Sequence, residues 1–233
     1  MLMKLCNFVA AMELRFENAI KEAAPGLRVM SVEADVTNGS TGDALWDEIC
    51  RCAADIKARI PMELVRHRPA IDATRSAYKA LGKDPNRYRP SAEALCRRAV
   101  RGMDLYRTFA VIDLINLLSM VSGHSIGGFD ADKIEGGCLT LGVGRAGEPY
   151  EAIGRGLLNI EGLPVYRDTV GGVGTPTSDN ERTKLSPDTR RLVMTVNMYG
   201  ESEMSEADVE AMTRRLLGDY AGARNITVTY WNV

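Results

Sequence analysis

Histidine is scarce in this chain: His67 and His124 are the only two among 233 residues. Neither is spaced to serve a nucleophile, and Ser178 stands in Pro176-Thr177-Ser178-Asp179-Asn180, not in G-x-S-x-G. The pattern argues against covalent serine catalysis. The five cysteines, at positions 6, 50, 52, 96 and 138, form no C-x-x-C pair. That removes the usual zinc spacing and fits reduced thiols in a cytoplasmic protein. Long apolar runs are missing as well. The opening MLMKLCNFVAAM is broken by Glu13 and Arg15, short of the roughly 20 residues that cross a bilayer. It also lacks the basic flank and long apolar core of a secretory leader. The formal net charge of −2 argues against a protein that coats nucleic acid indiscriminately. No internal repeat or low-complexity linker appears. The expectations are no membrane partner, no DNA, no metal and no cofactor.

What is present suffices for one sizeable core. With 45% apolar residues, the chain is expected to form a single domain over 1–233, helical over 43–123 and strand-rich over 124–233. ELRFENAIKEA (13–23) has helical spacing before Pro25-Gly26, and LRVMSVEADV (27–36) alternates as a strand. Helices are predicted over 43–60, over 68–82 with Pro69 in the first turn and Gly82 past the end, over 91–101 with Ser91 as cap, and from Leu105 to Gly123. CLTLGV (138–143), EAIG (151–154), GLPVYRD (162–168) and RRLVMTVNMY (190–199) read as strands, the last being the strongest. Ser205-Glu206-Ala207-Asp208 caps a further helix, and NITVTYWNV closes the chain as a strand.

Charge is unevenly placed. Between Lys57 and Arg107 thirteen Lys/Arg face five Asp/Glu, which on charge alone reads first as solvated helix faces. Gly142-Val143-Gly144-Arg145-Ala146-Gly147 matches G-x-G-x-x-G, but Glu148-Pro149 follows where a dinucleotide site needs a helix. His124 follows a helix-ending glycine and reads as a capping or structural group. The strongest site candidate is GVGTPTSDNERT, Gly172 to Thr183. Gly174 and Thr175 open it, Thr177, Ser178 and Asp179 supply hydroxyls and a carboxylate, and Arg182 can clamp an anion through two parallel hydrogen bonds. Its plain alternative is a Pro/Ser/Asp turn.

VIDLINLLSMVSGHSIGGFDADKIEGG (111–137) resembles the segment V-D-x-T-N…G-Q-P-x-H-A-F-D-x-D-K-x-x-G of the bacterial phenylalanyl-tRNA synthetase beta subunit, in the B3/B4 domain that hydrolyses wrongly charged tRNA. Gly147-Glu148 and Asp188-Thr189 continue the similarity. With RPAIDATRSAYKALGKDPNRYRPSAEAL before it, the chain is closer to free-standing B3/B4 proteins. The resemblance covers about residues 25–200. It implies an α+β, B3/B4-like fold, with a central mostly antiparallel sheet and helices packed mainly on one side.

The resemblance also implies a site. The family's asparagine falls on Asn116, with Ile115 in place of its threonine; its histidine falls on Gly127, followed by Gly128-Phe129-Asp130; its strand glutamate falls on Thr195. The frame is kept, and the two polar groups tied to tyrosine discrimination and water placement are not. If chemistry persists, the polar groups come from the 172–183 loop. The catalytic candidates are then Asp179, Asn116, Ser178 and Thr177, and the substrate-binding candidates are Gly174, Thr175, Arg182, Thr183, Gly127, Gly128, Phe129 and Thr195. Arg75, Lys79, Arg87 and Arg89 would hold RNA phosphates. The implied activity is hydrolysis of an aminoacyl-tRNA ester in trans. The alternative is a non-catalytic module binding tRNA or an amino-acid-like ligand.

Overall fold

The computed structural model describes residues 12–233; Cys6 and nearly all of the apolar opening stretch lie outside the described residues. The chain runs through strand β1 (Glu13–Phe16), helix α1 (Asn18–Ala23) and strand β2 (Arg28–Asp35). Four helices follow: α2 (Asp43–Arg59), α3 (Pro69–Ala80), α4 (Ser91–Arg101) and α5 (Ala110–Ser122). The rest is β3 (Ser125–Asp130), β4 (Cys138–Val143), β5 (Glu151–Ala152), β6 (Gly156–Leu157), β7 (Pro164–Arg167), β8 (Gly172–Gly174), β9 (Arg191–Met198), α6 (Glu206–Ala221) and β10 (Arg224–Asn232). The class is α+β with largely antiparallel pairing, as the resemblance implied, and the strands divide into two four-stranded sheets and the two-stranded β5–β6 hairpin.

One sheet has the order β10-β2-β9-β3 and is antiparallel throughout. Because side chains alternate along a strand, Met30, Val32, Met194 and Val196 share one face, which packs on Ile49 of α2, Leu114 and Leu118 of α5, and Leu216 of α6. Val29, Val193 and Phe129 point to the opposite face and meet Leu139, Leu141, Tyr166 and Val173 of the second sheet, β1-β4-β7-β8. The order is therefore helices, sheet, sheet. Each large aliphatic side chain fully buried in these layers contributes about 1.5–3 kcal/mol. β9 lies inside the first sheet between β2 and β3, which is why it is the most apolar strand. β3 is that sheet's outer strand.

Several boundaries differ from the sequence reading. The helix expected over 13–23 is split. Leu14 is buried between exposed Glu13 and Arg15, and residues 13–16 pair in parallel with β4 from Glu13↔Cys138 to Phe16↔Leu141. Sheet pairing there overrides local helix propensity. Ser91 does not cap α4: Pro90 occupies the cap position without a side-chain hydrogen bond, and Ser91 N–H donates to Pro176 O at 2.8 Å. α5 starts at Ala110, because Asp113 accepts from Thr108 N (2.9 Å) and Thr108 Oγ1 (2.7 Å) and holds the approach extended. Of the strand expected over 151–154 only Glu151–Ala152 forms, since Gly154 turns with φ 66°. Conversely, Gly172–Gly174, part of a presumed loop, is strand β8. The other ends agree closely: Gly123 closes α5 in the left-handed conformation (φ 76°), and Ser205 Oγ accepts from Asp208 N at the start of α6.

Candidate functional site

The outer edge of β3 would present unpaired backbone groups. The segment after β8 covers it: Phe129 bridges to Lys184, and Gly128 N–H donates to Asp179 Oδ2 at 3.1 Å. Between this edge, α5, the first turns of α4 and the covering segment lies a cavity of about 220 Å³. Its walls are aliphatic, formed by Leu95, Ile112, Ile115, Ile126 and Leu185. Its polar groups include Asn116, Gly128, Thr175, Ser178, Asp179 and Lys184. Two stretches read separately in the sequence, 111–128 and 174–179, thus meet in one place.

The covering loop is built from its own hydroxyls. Thr175 Oγ1 accepts from the backbone N–H of Thr177 (3.2 Å) and of Ser178 (3.0 Å), and Thr175 N–H donates to Ser178 O (3.2 Å). Tyr150 Oη donates to that same Ser178 carbonyl at 2.7 Å. Thr177 faces away from the cavity and pairs with Tyr78 Oη at 2.9 Å. Burial raises both tyrosine hydroxyls well above the usual range, keeping them neutral. Glycine is needed at two points by close approach. A Cβ on Gly174 would lie 2.5 Å from the Phe129 ring and 2.8 Å from Asp179 Oδ1, and one on Gly128 would lie 2.6 Å from Ile115 Cδ1.

Asp179 is the site's titrating group. Burial pushes its carboxyl up to about 7, against the opposing effect of the Gly128 amide. A carboxyl half-protonated near neutrality is matched to proton transfer at working pH. With Asn116 and Ser178 lining the same space, the cavity combines a carboxyl, neutral hydrogen-bonding groups and an apolar wall.

Other sequence candidates lie elsewhere. Gly127 and Thr195 are paired across β3 and β9 on the face turned toward the second sheet, outside the cavity. A Cβ on Gly127 would meet Phe129 Cζ at 2.5 Å and Thr195 Oγ1 at 2.9 Å, so no histidine-sized group fits there without rearrangement. Phe129 is buried between the sheets, its ring 6.4 Å from that of Tyr166. Arg182 does not present a free anion clamp: its Nη1 and Nη2 bind Asp168 at 2.9 and 2.8 Å. The Arg182 guanidinium helps hold that carboxylate below its ordinary range. Thr183 is buried, with Oγ1 toward Val173 O at 3.3 Å.

Among the four basic candidates, Arg75 is not at the surface. It is buried, with Nη1 on Glu93 (2.8 Å) and Pro85 O (3.2 Å) and Nη2 on Asn86 (2.8 Å). Lys79, Arg87 and Arg89 are exposed. Arg89 and Arg97 also approach Glu93, at 3.4 and 2.8 Å, so one buried carboxylate faces three guanidinium groups. Asp130 is a joint rather than a ligand: it accepts from Thr189 Oγ1 at 2.8 Å and from Asp132 N at 3.2 Å. That explains the Asp130, Asp132 and Asp188-Thr189 frame architecturally.

The remaining motifs also resolve. No helix follows the 142–147 glycines, and Gly144 is required because a Cβ would lie 1.9 Å from Ile160 O. The dinucleotide reading is therefore set aside. His124 is buried, and burial lowers its imidazole to about 4. Among the described residues no group of three or more His, Cys, Asp or Glu is placed to hold a metal, and no helix is long and apolar enough to cross a membrane. Sequence reasoning missed Tyr150, Leu95 and Leu185, which carry no motif.

The chain is similar to known proteins in sequence and in fold alike. Over 125 residues the chain is 31% identical to the phenylalanine-tRNA ligase beta subunit of Bartonella henselae, an overlap covering 49% of this chain and 14% of that subunit. The chain thus spans only a small part of that curated relative. A solved N-terminal fragment of the phenylalanyl-tRNA synthetase beta subunit from Pyrococcus horikoshii aligns over 95% of this chain and 54% of that one, at 12% identity and a TM-score of 0.47. The family profile described as the B3/4 domain matches residues 73–214, a span that includes α5, β3, the 172–183 segment and β9. With more than half of its length in that match, the chain belongs to the B3/4 domain family.

Proposed function

We propose that this domain binds aminoacylated tRNA and, acting in trans, hydrolyses the ester of a mischarged species. The observation that carries the reading is Asp179: a carboxyl raised to about 7, held by the Gly128 amide in a small aliphatic cavity. An aminoacyl ester is already activated, so catalysis needs mainly a positioned water, donors for the oxyanion and exclusion of bulk solvent. In this reading Asp179 orients and deprotonates the water, while Asn116 and Ser178 hold the carbonyl and the amino acid. The aliphatic walls receive the side chain. Thr175 and Thr177 set the loop rather than touch substrate, and Lys79, Arg87 and Arg89 meet phosphates.

The experiment is release of amino acid from a panel of correctly and incorrectly charged tRNAs by wild type and Asp179→Asn. We expect one mischarged species to be hydrolysed, and the variant to be slower by about 10²–10⁴, the usual worth of a positioned base. Full activity in the variant refutes the role of Asp179.

A second reading is favoured by Gly127 and Thr195, which leave the family's histidine and glutamate positions without those groups. In that reading the fold binds tRNA or an amino-acid-like ligand without chemistry. Salt-sensitive tRNA binding with no release across the panel would establish the RNA-binding form.

A further inference from the structure

We propose that the β5–β6 hairpin is the seat of the terminal nucleotide that carries the aminoacyl ester. This rests on the tRNA reading above and adds a part of the molecule that the reading leaves unused.

The cavity, at about 220 Å³, is smaller than the roughly 300–1,000 Å³ of pockets that enclose whole drug-sized ligands. It has room for an amino-acid side chain and its carbonyl, not for the ribose and base as well. Since the ester joins the carbonyl directly to a ribose oxygen, an acyl group inside fixes the nucleotide at the mouth. The mouth is identified by exposure. Leu185 and Ile115 are buried, at 6% and 7%, whereas Ile153 also lines the cavity and is 40% exposed.

Ile153 belongs to the turn of the hairpin, and the hairpin is fixed to the catalytic loop. Ile153 N–H donates to Asp179 O at 3.1 Å, Ala152 bridges Asn180, and Gly154 N–H donates to Glu181 Oε1 at 3.3 Å. A ligand resting on Ile153 is therefore referenced to Asp179 through one hydrogen bond. Leu157, on the returning strand opposite Glu151, is 88% exposed. Ile153 and Leu157 thus put two exposed aliphatic side chains on one short hairpin, and aliphatic surfaces are among those on which extruded bases stack.

The rim carries both signs. Arg155 stands exposed at the hairpin turn, while Lys184, exposed and lining the cavity, is paired with Glu181. Glu151 is a further carboxylate on the hairpin. The aliphatic pair suits a base, and Arg155 suits the phosphate on its 5′ side.

The test compares wild type, Ile153→Ser, Ile153→Leu and Arg155→Ala. For uncharged tRNA, Ile153→Ser is expected to weaken binding about tenfold, the low end of what burying an aliphatic side chain is worth, and Ile153→Leu to restore it. Arg155→Ala is expected to reduce the slope of log K against log salt by about one. In turnover, Ile153→Ser should raise KM for the charged tRNA far more than it lowers kcat. Hydrolysis of the matching aminoacyl ethyl ester, which has no nucleotide, should fall by a smaller factor than that of the charged tRNA. Equal impairment on tRNA and ethyl ester would leave Ile153 no role beyond the cavity wall and overturn the proposal. Unchanged tRNA affinity in Ile153→Ser, or no tRNA binding by wild type, overturns it too. Binding that follows the expected pattern without turnover of any charged tRNA upholds the hairpin and refutes only the deacylase reading.

Discussion

Replacing Asp179 by Asn separates electrostatics from shape, because the amide oxygen can still accept from Gly128 N–H, now at 3.1 Å. The carboxyl stands at about 7 in the fold against an ordinary 3.8. Between those values the native protein keeps a proton that the unfolded chain has lost, so wild-type stability falls as pH rises from about 4 to about 7. The full difference corresponds to a ceiling of about 4 kcal/mol at 1.36 kcal/mol per pH unit. Asp179 is only half-buried, and solvent in the cavity screens it, so the expected effect is about 1–2 kcal/mol. The variant, having no proton to lose, should match wild type near pH 4 and exceed it above pH 7 by that amount. Urea unfolding of both proteins at pH 4.5, 6 and 8 measures the difference directly. A stability gap that does not grow with pH means that Asp179 titrates as an ordinary carboxyl, and the proton-transfer reading goes with it.

Other outcomes follow from contacts already described. Gly174→Ala drives a methyl into the Phe129 ring and Asp179 and should cost about 1–3 kcal/mol, the usual penalty of overpacking, read as a lowered urea midpoint. Tyr150→Phe removes the 2.7 Å donor from the Ser178 carbonyl, which keeps the Thr175 N–H; we expect a loss of about 0.5–1.5 kcal/mol, accompanied by faster amide exchange over 175–179. Glu93→Gln leaves Arg75 buried beside two further arginines without their shared carboxylate, at a cost of about 3–5 kcal/mol in thermal unfolding. Arg182→Ala should destabilise the fold more at pH 7 than at pH 3, because Asp168 is ionised above its lowered pKa and neutral below it. An effect on ligand affinity alone, with stability unchanged, would contradict the internal pairing.

Much of the molecule could be read from sequence because local signals and tertiary packing agree. Gly123, Gly82 and the Ser205 to Asp208 pair mark helix ends where the structure has them. The Thr175 to Asp179 run stood out by an excess of hydroxyl and carboxyl groups over what a turn requires; Thr175, Ser178 and Asp179 line the cavity, and Thr177 turns to Tyr78. Charges were harder. Arg75 and Arg182 look like ligand-binding arginines until Glu93 and Asp168 are seen beside them, and nothing in their own neighbourhood declares those partners. β1 was hidden because its alternation is only four residues long and is decided by β4, far away in sequence. Tyr150 and Leu185 were invisible for a different reason: their roles come from where the chain folds back, not from their neighbours.

The segment from Thr175 to Lys184 closes the cavity beside α5, and it also lies along the open side of β3, with Lys184 bridging Phe129 and Asp179 held by Gly128. Lifting that segment would bare a strand edge that includes Ile126 and Phe129 and invite a second molecule to add its own strand. Selection for a more mobile segment would therefore be opposed by self-association; under the proposed function, entry past the hairpin leaves that segment in place. Laboratory evolution toward larger substrates should accordingly enlarge the cavity through Ile112, Ile115 or Leu95 before it loosens the loop, and variants that do loosen it should be recognised first by their aggregation.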